Sequence, residues 1–287
     1  MANIVVLFDF DKTIIHCDSD NWVVDELGVT NLFNELLPTM PWNTLMDKTM
    51  KELHSQGRTI QDIVECLNHA PLIPQIISTI KSAHALGCEL RIVSDANLFF
   101  IETILKHHGL TDYFSEINTN PGFVDKGKLR IFPHHDFISS PHGCDLCPPN
   151  MCKGVVIERI RASAFTEGKK RFFYLGDGKG DFCPSLKLGE KDLVLPRKNY
   201  PLWELICNNP SLIKAGVHEW SDGKSYKGFF FTRSMKLSSK KPAAMPILLL
   251  HSLVIASSRL FQYLAMNNFH KPFKFLVSAY DQLKNWL

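Results

Sequence analysis

The chain predicts a doubly wound α/β fold, built on a parallel sheet, with a helical cap inserted after its first strand. Three observations predict it. Short unbroken apolar runs recur along the chain, and three of them end in clusters of acidic or hydroxyl residues. Helical stripes that stop at glycine lie between these runs. The stretch from Lys12 to Val93 far exceeds the about 2–6 residues of a usual connection in an α/β unit, so it must fold as something.

The run Ile4–Phe8 fits a strand buried on both faces and ends in Asp9-Phe10-Asp11-Lys12-Thr13. Leu90–Val93 is a second run, ending in Ser94-Asp95-Ala96-Asn97. Phe172–Leu175 is a third, ending in Gly176-Asp177-Gly178, and Asp192–Leu195 reads as a fourth. Between them, residues 73–86 carry Ile76, Ile77, Ile80 and Ala83, with Gly87 beyond the end; residues 98–108 carry Ile101, Ile104 and Leu105 before Gly109. These are helical stripes with glycine stops. Strands alternating with helices give a parallel sheet, in which ligands sit beyond the carboxyl ends of strands. The three polar clusters all fall at such ends.

Within residues 17–72, Trp22, Leu27, Phe33 and Leu36, then Leu45, Met46, Met50 and Leu53, predict several short helices. The expected division is a core of residues 1–16 and 73–222, a cap of 17–72, and a tail of 223–287. Residues 118–151, rich in Gly, Pro, Asn and His, read as a looped region with one hairpin around Lys128–Phe132.

The composition is that of a soluble globular protein, with 45% hydrophobic and 21% charged residues among 287. A net charge of +3 gives no basic stripe for nucleic acid, so none is expected as a partner. The N-terminus lacks a basic region followed by a cleavage site, which predicts a cytoplasmic protein whose eight cysteines are thiols or metal ligands. Residues 242–258 hold no Asp, Glu, Lys or Arg, but the run is short for a spanning helix. It reads as a tail helix packed on the core, with membrane-surface contact as the alternative.

Asp9 and Asp11 stand two apart at a strand end, which places both on one side. Two hard carboxylates there suit Mg²⁺, which prefers oxygen ligands. One carboxylate can attack phosphorus, and the other can move the proton that the leaving oxygen and then water require. Thr13 offers a further hydroxyl, and Ser94 a hydroxyl beside the N–H groups of a helix start, a seat for phosphate. Lys153 offers a cation, while Asp177 and Asp181 offer carboxylates to complete a metal shell.

Asp9-Phe10-Asp11-Lys12-Thr13, then Ser94, then Lys153, then Gly176-Asp177 with Asp181 resembles the four ordered motifs of the haloacid dehalogenase superfamily. Ser19–Trp22, Ile92–Asn97, Cys147–Gly154 and Gly176–Pro184 resemble its phosphoethanolamine/phosphocholine phosphatase family, the plant branch of which includes enzymes for pyrophosphate, thiamine phosphate or pyridoxal phosphate. The resemblance spans about residues 3–222. It implies Asp9 as nucleophile and Asp11 as general acid/base. Mg²⁺ is then held by Asp9, the Asp11 carbonyl and Asp177, with Asp181 nearby. Ser94 and Lys153 bind the phosphoryl group, while Asp20 and Asp95 face the amine head of the substrate. The expected substrate is a small phosphomonoester, with inorganic pyrophosphate as runner-up. A phosphomutase and a non-catalytic cysteine-loop interaction module are the readings from other classes.

Cys144, Cys147 and Cys152, with His142 close by, have metal-like spacing but lack a second Cys-x2-Cys pair. Structural Zn²⁺, a redox-responsive thiol pair and plain packing all remain open for them. His134, His135 and His142 read as loop histidines, because carboxylates already fill the acid and base roles.

Overall fold

The structure is a computed structural model that describes residues 3–166, 168 and 171–221, all within one compact unit. The 223–287 tail and its membrane reading lie outside the described residues. Among those described, no helix is long and apolar enough to cross a membrane.

Strand β1 (Ile4–Phe8) is followed by the helices α1 (Ser19–Glu26), α2 (Thr30–Leu36), α3 (Trp42–Ser55) and α4 (Ile60–Asn68), then by α5 (Ile76–Ala85), β2 (Glu89–Asn97) and α6 (Leu98–His107). Next come β3 (Glu116–Asn120), β4 (Gly122–Asp125), β5 (Lys128–Ile131), α7 (Lys153–Thr166) and β6 (Arg171–Gly176). The series ends with α8 (Phe182–Leu186), β7 (Leu193–Pro196), α9 (Pro201–Asn208) and β8 (Gly216–Val217).

Six strands form a sheet in the order β3-β2-β1-β6-β7-β8, and every pairing in it is parallel. The apolar runs explain why. Val6 and Phe8 point to one face and join a core with Ile76, Ile80, Ile101 and Ile104. Val5 and Leu7 point to the other face, against Ile157, Ile160 and Phe172. A strand covered on both faces needs apolar residues at every position. Burying each such side chain contributes about 1.5–3 kcal/mol. The strand order reverses between β1 and β6, and a crevice opens at such a switch point.

The inserted helices leave and rejoin the core at one place. Ile15 bridges Leu72, the His16 N–H donates to the Pro71 carbonyl at 2.7 Å, and the Ile73 N–H donates to the Ile14 carbonyl at 3.1 Å. Helix α3 packs on the hairpin of β4 and β5 through Asp47, which accepts Arg130 Nε at 2.7 Å and the Ile131 N–H at 3.1 Å. The hairpin turns at Lys126 and Gly127, both with left-handed backbone (φ 47° and 77°), as a tight two-residue turn requires.

Three expectations need correction. The looped reading of residues 118–151 fails at its start, where Asn118–Asn120 belong to β3. That strand is polar, so no apolar run marks it; its side chains bond to β2 instead. Thr119 Oγ1 donates to the Ala96 carbonyl at 2.9 Å and Asn120 Nδ2 to the Asp95 carbonyl at 2.6 Å. Strand β2 runs on past Val93 to Asn97 through an irregularity in its pairing with β3, so Ser94 lies within the strand and not at the helix start. The cap of α6 is Asn97, whose side chain accepts the Phe100 N–H at 3.0 Å. Finally, Asp192 precedes β7, accepting the N–H of Phe172 (2.9 Å) and of Gly189 (2.8 Å).

Candidate active site

The chain leaves β1 in a tight loop. The Asp9 N–H still donates to the Leu175 carbonyl of β6 at 2.9 Å, and the Ile14 N–H closes a turn onto the Phe10 carbonyl at 2.8 Å. Lys12 takes left-handed backbone (φ 53°), and Arg197 Nη1 holds its carbonyl at 2.6 Å. Asp9, buried at this strand end, accepts the Phe10 N–H through Oδ1 at 2.7 Å.

Lys153, the first residue of α7, is the electrostatic hub. Its buried Nζ stands 3.0 Å from Asp9 Oδ1, 3.1 Å from Asp95 Oδ1 and 2.9 Å from Asp181 Oδ1. Burial alone would depress the lysine, but the three carboxylates outweigh it and hold the ammonium form well above its ordinary range. Asp95 is half-exposed at the mouth of the crevice. Burial works against its charge, yet Lys153 keeps it below the usual carboxylate value.

Asp181 organises rather than protrudes. Its Oδ1 accepts Lys153 Nζ and Tyr174 Oη (2.6 Å), and its Oδ2 accepts the N–H groups of Asp177 and Gly178 (2.9 Å each). A Cβ at Gly176 would meet that carboxylate at 2.5 Å, so the β6 terminus requires glycine there. Through these hydrogen bonds Asp181 positions the Lys153 ammonium and the backbone of Asp177 and Gly178. Asp9, Asp177 and Asp181 still bring carboxylate oxygens within 4.8 Å of one another.

Asp11 accepts the N–H (3.0 Å) and hydroxyl (3.2 Å) of Ser19. Burial, then repulsion from Asp18, Asp20 and Asp9, raises it well above the usual range. Asp9 is raised likewise by burial and Asp181, with Lys153 opposing. Burial and Asp181 push Asp177 up to about 7. Asp20, on α1, reaches about 7 through burial and Asp18. Trp42 Nε1 donates to its Oδ2 at 2.6 Å, and Asn97 Nδ2 to its Oδ1 at 3.3 Å.

A cavity of about 350 Å³ opens over this cluster, lined by Asp9, Asp11, Lys153 and Asp177 together with Asp20, Trp42 and Asp95. The structure thus brings together Asp9, Asp11, Lys153, Asp177, Asp20 and Asp95, all named from sequence. Ser94 and Thr13 sit behind the wall, fully buried. Ser94 Oγ accepts the Ala96 N–H at 3.3 Å, and Thr13 Oγ1 donates to Asp177 Oδ1 at 3.4 Å. Sequence reasoning missed Trp42, Asn97, Asn120 and Tyr174. Of these, only Trp42 carries a signal, an indole at the start of a helix in the insertion. Cys144, Cys147 and Cys152 meet with their sulfurs close together, and Cys183 joins them.

Residues 4–232 match a family model described as "Putative Phosphatase". The chain is 66% identical over 220 residues to Inorganic pyrophosphatase 1 of Arabidopsis thaliana, covering 76% of this chain and 75% of that protein. It is 58% identical over 226 residues to the Arabidopsis thaliana Thiamine phosphate phosphatase-like protein (78% and 92% covered). It is 32% identical over 228 residues to the Homo sapiens Phosphoethanolamine/phosphocholine phosphatase (75% and 84% covered). Among solved structures, a substrate-bound phosphoserine phosphatase shares the fold at a TM-score of 0.54 and 16% identity, over 80% of this chain and 98% of that one. With the strand order, the crevice and these matches in agreement, the chain belongs to the phosphatase family that this model describes, on a haloacid dehalogenase-type fold.

Proposed function

We propose that this chain is a Mg²⁺-dependent phosphatase that hydrolyses small phosphomonoesters with a cationic leaving group, through an aspartyl phosphate on Asp9. One observation carries this reading: the Asp9 carboxylate, the Lys153 ammonium and the Asp177 carboxylate converge on one cavity at the sheet's switch point.

The donor set fits Mg²⁺. Buried carboxylates gather around a single buried lysine and are raised by burial and then by mutual repulsion, both of which a hard cation would offset. The Asp9 and Asp177 carboxylates and the Asp11 carbonyl would hold it, with Thr13 bracing Asp177 and Asp181 aligning the backbone beneath. Bound Mg²⁺ supplies charge that offsets the phosphoryl oxygens as carboxylate and phosphate approach.

The residues then divide the work. Lys153 takes the phosphoryl oxygens, while Ser94, buried behind the cavity wall, supports the strand end that carries Asp95. An Asp9 oxygen attacks phosphorus while the bond to the leaving oxygen breaks, and the Asp11 carboxyl gives its proton to that oxygen. Asp11, now ionised, takes a proton from water whose oxygen attacks phosphorus; the bond to Asp9 breaks and phosphate leaves. The raised Asp11 suits it to start protonated. The helices of residues 17–72 act as a cap that supplies Asp20 and Trp42.

Trp42 beside Asp20 and Asp95 favours a cationic head, because an indole face and carboxylates attract ammonium together. Pyrophosphate is the second reading, favoured by the name of the 66% identical relative and by Lys12 and Lys179 on the cavity wall. A phosphate-release screen over phosphocholine, phosphoethanolamine, thiamine phosphate, pyridoxal phosphate and pyrophosphate separates them. Fastest turnover of pyrophosphate would discard the cationic-head reading; transfer to a sugar without phosphate release would indicate a mutase.

Two outcomes follow from the raised carboxyls of Asp177 and Asp20. Asp177 near 7 means protons compete with Mg²⁺, so apparent Mg²⁺ affinity falls as pH drops from 8 to 6; calorimetry that shows a flat profile removes Asp177 from the metal shell. Asp20 loses its charge below about 7, so KM for phosphocholine rises roughly tenfold over the same range, relative to an Asp20→Asn variant whose KM is already high. Parallel pH profiles for the two proteins would refute a role for Asp20 in binding the head.

A further inference from the structure

We infer that Cys144, Cys147, Cys152 and Cys183 form a tetrahedral Zn²⁺ site that clamps the loop before α7 onto α8. The four sulfurs all lie within 4.8 Å of one another, with Cys183 Sγ 3.7 Å from Cys144 Sγ and 3.8 Å from Cys152 Sγ. Four thiolates around zinc at about 2.3 Å stand about 3.8 Å apart, which is the spacing found here. All eight cysteines of the chain are free thiols. The other four stand outside this cluster, so sulfur is concentrated at this point.

A second observation is the loop itself. Residues 132–152 contain no regular element, well beyond the about 12–15 residues at which a loop needs a special reason to be ordered. Apolar burial supplies that reason only at the loop's end, where Met151 enters the core; Ile138 is 93% exposed and Leu146 60% exposed. Anchors appear at the sulfurs instead: Cys152 and Cys183 are buried. A Cβ at Gly154 would meet Cys183 Sγ at 2.5 Å, so glycine is what lets α8 bring its sulfur to the start of α7. His142 shapes the loop without entering the sulfur cluster. Its Nδ1 accepts the Cys144 N–H at 3.1 Å, which leaves Nε2 to carry the proton toward the Pro148 carbonyl at 2.8 Å. The second Cys-x2-Cys pair missing from the sequence is supplied by two cysteines 31 residues apart.

On binding, four S–H bonds give up four protons as four S–Zn bonds form. The clamp grips both partners of a bond in the crevice. Cys152 immediately precedes Lys153, and Cys183 follows Asp181 by two residues, so the site fixes the Lys153–Asp181 contact from behind. That consequence rests on the phosphatase reading, whereas the zinc content does not.

The test is elemental analysis of the full chain, purified under reductant without chelator and with Mg²⁺ in excess. One zinc per chain is expected, retained in Cys207→Ser and lost in Cys147→Ser. Because Cys147→Ser can lower stability, the wild-type chain is also loaded with Co²⁺, which should give thiolate charge-transfer absorption and the intense visible bands of a tetrahedral sulfur site. Wild-type protein with no zinc and no such bands overturns the assignment. So does iron in place of zinc, or full zinc content in folded Cys147→Ser.

Discussion

Asp9→Asn is expected to cut phosphate release by about 10⁴-fold or more while the protein stays folded. The loss is large because the amide cannot form the acyl phosphate, and the remaining groups can only position water. The fold survives for an electrostatic reason. Burial and Asp181 already hold Asp9 above the usual carboxylate range, so its charged form costs the folded state stability once pH passes the unfolded value of about 3.9. A neutral isostere removes that cost, and Lys153 keeps Asp95 and Asp181 as partners. The metal-free variant should therefore melt at or above the wild type at pH 7, and Mg²⁺ should raise its melting temperature less. Residual activity within tenfold of wild type would end the covalent mechanism.

Lys153→Met should be the most destabilising change in the crevice, at about 3–5 kcal/mol near pH 7. That is about 6–20 °C in melting temperature for a domain of this size. The methionine fits the volume but leaves Asp9 and Asp181 buried without their cation. The sign with pH follows from linkage. Without the ammonium, the Asp9 carboxyl rises further above its unfolded value. The folded state then binds the extra proton, and stability is lost as pH rises. The deficit should shrink toward pH 5 and widen toward pH 8, in melts without metal. A variant that melts like wild type at pH 8 would show that the lysine does not neutralise these acids. Turnover measured at pH 6, where more of the variant is folded, should still be lost.

Much of this architecture was legible because burial on both faces writes itself as an unbroken apolar run. Ile4–Phe8 and Phe172–Leu175 are strands on that ground, and the residues just beyond them face the crevice. The helical insertion was legible from length alone, since so long a segment must fold. Strand β3 was not, because Asn118, Thr119 and Asn120 pair by hydrogen bonds to β2 and leave no periodic apolar mark. Ser94 shows the opposite case. Its motif was visible, but the pairing irregularity keeps the strand going past it, so the hydroxyl lies inside the sheet and the helix starts later.

Local periodicity and the chemistry of single side chains were enough, within the sequence, to mark the apolar strands β1, β2 and β6 and the order of the acidic clusters at their ends. Tertiary structure alone decided that Lys153 bonds three carboxylates at once, that Trp42 reaches Asp20, and that Cys183 completes the sulfur cluster. Each of these joins segments distant along the chain. Sheet order and helix packing, not neighbouring residues, set those distances.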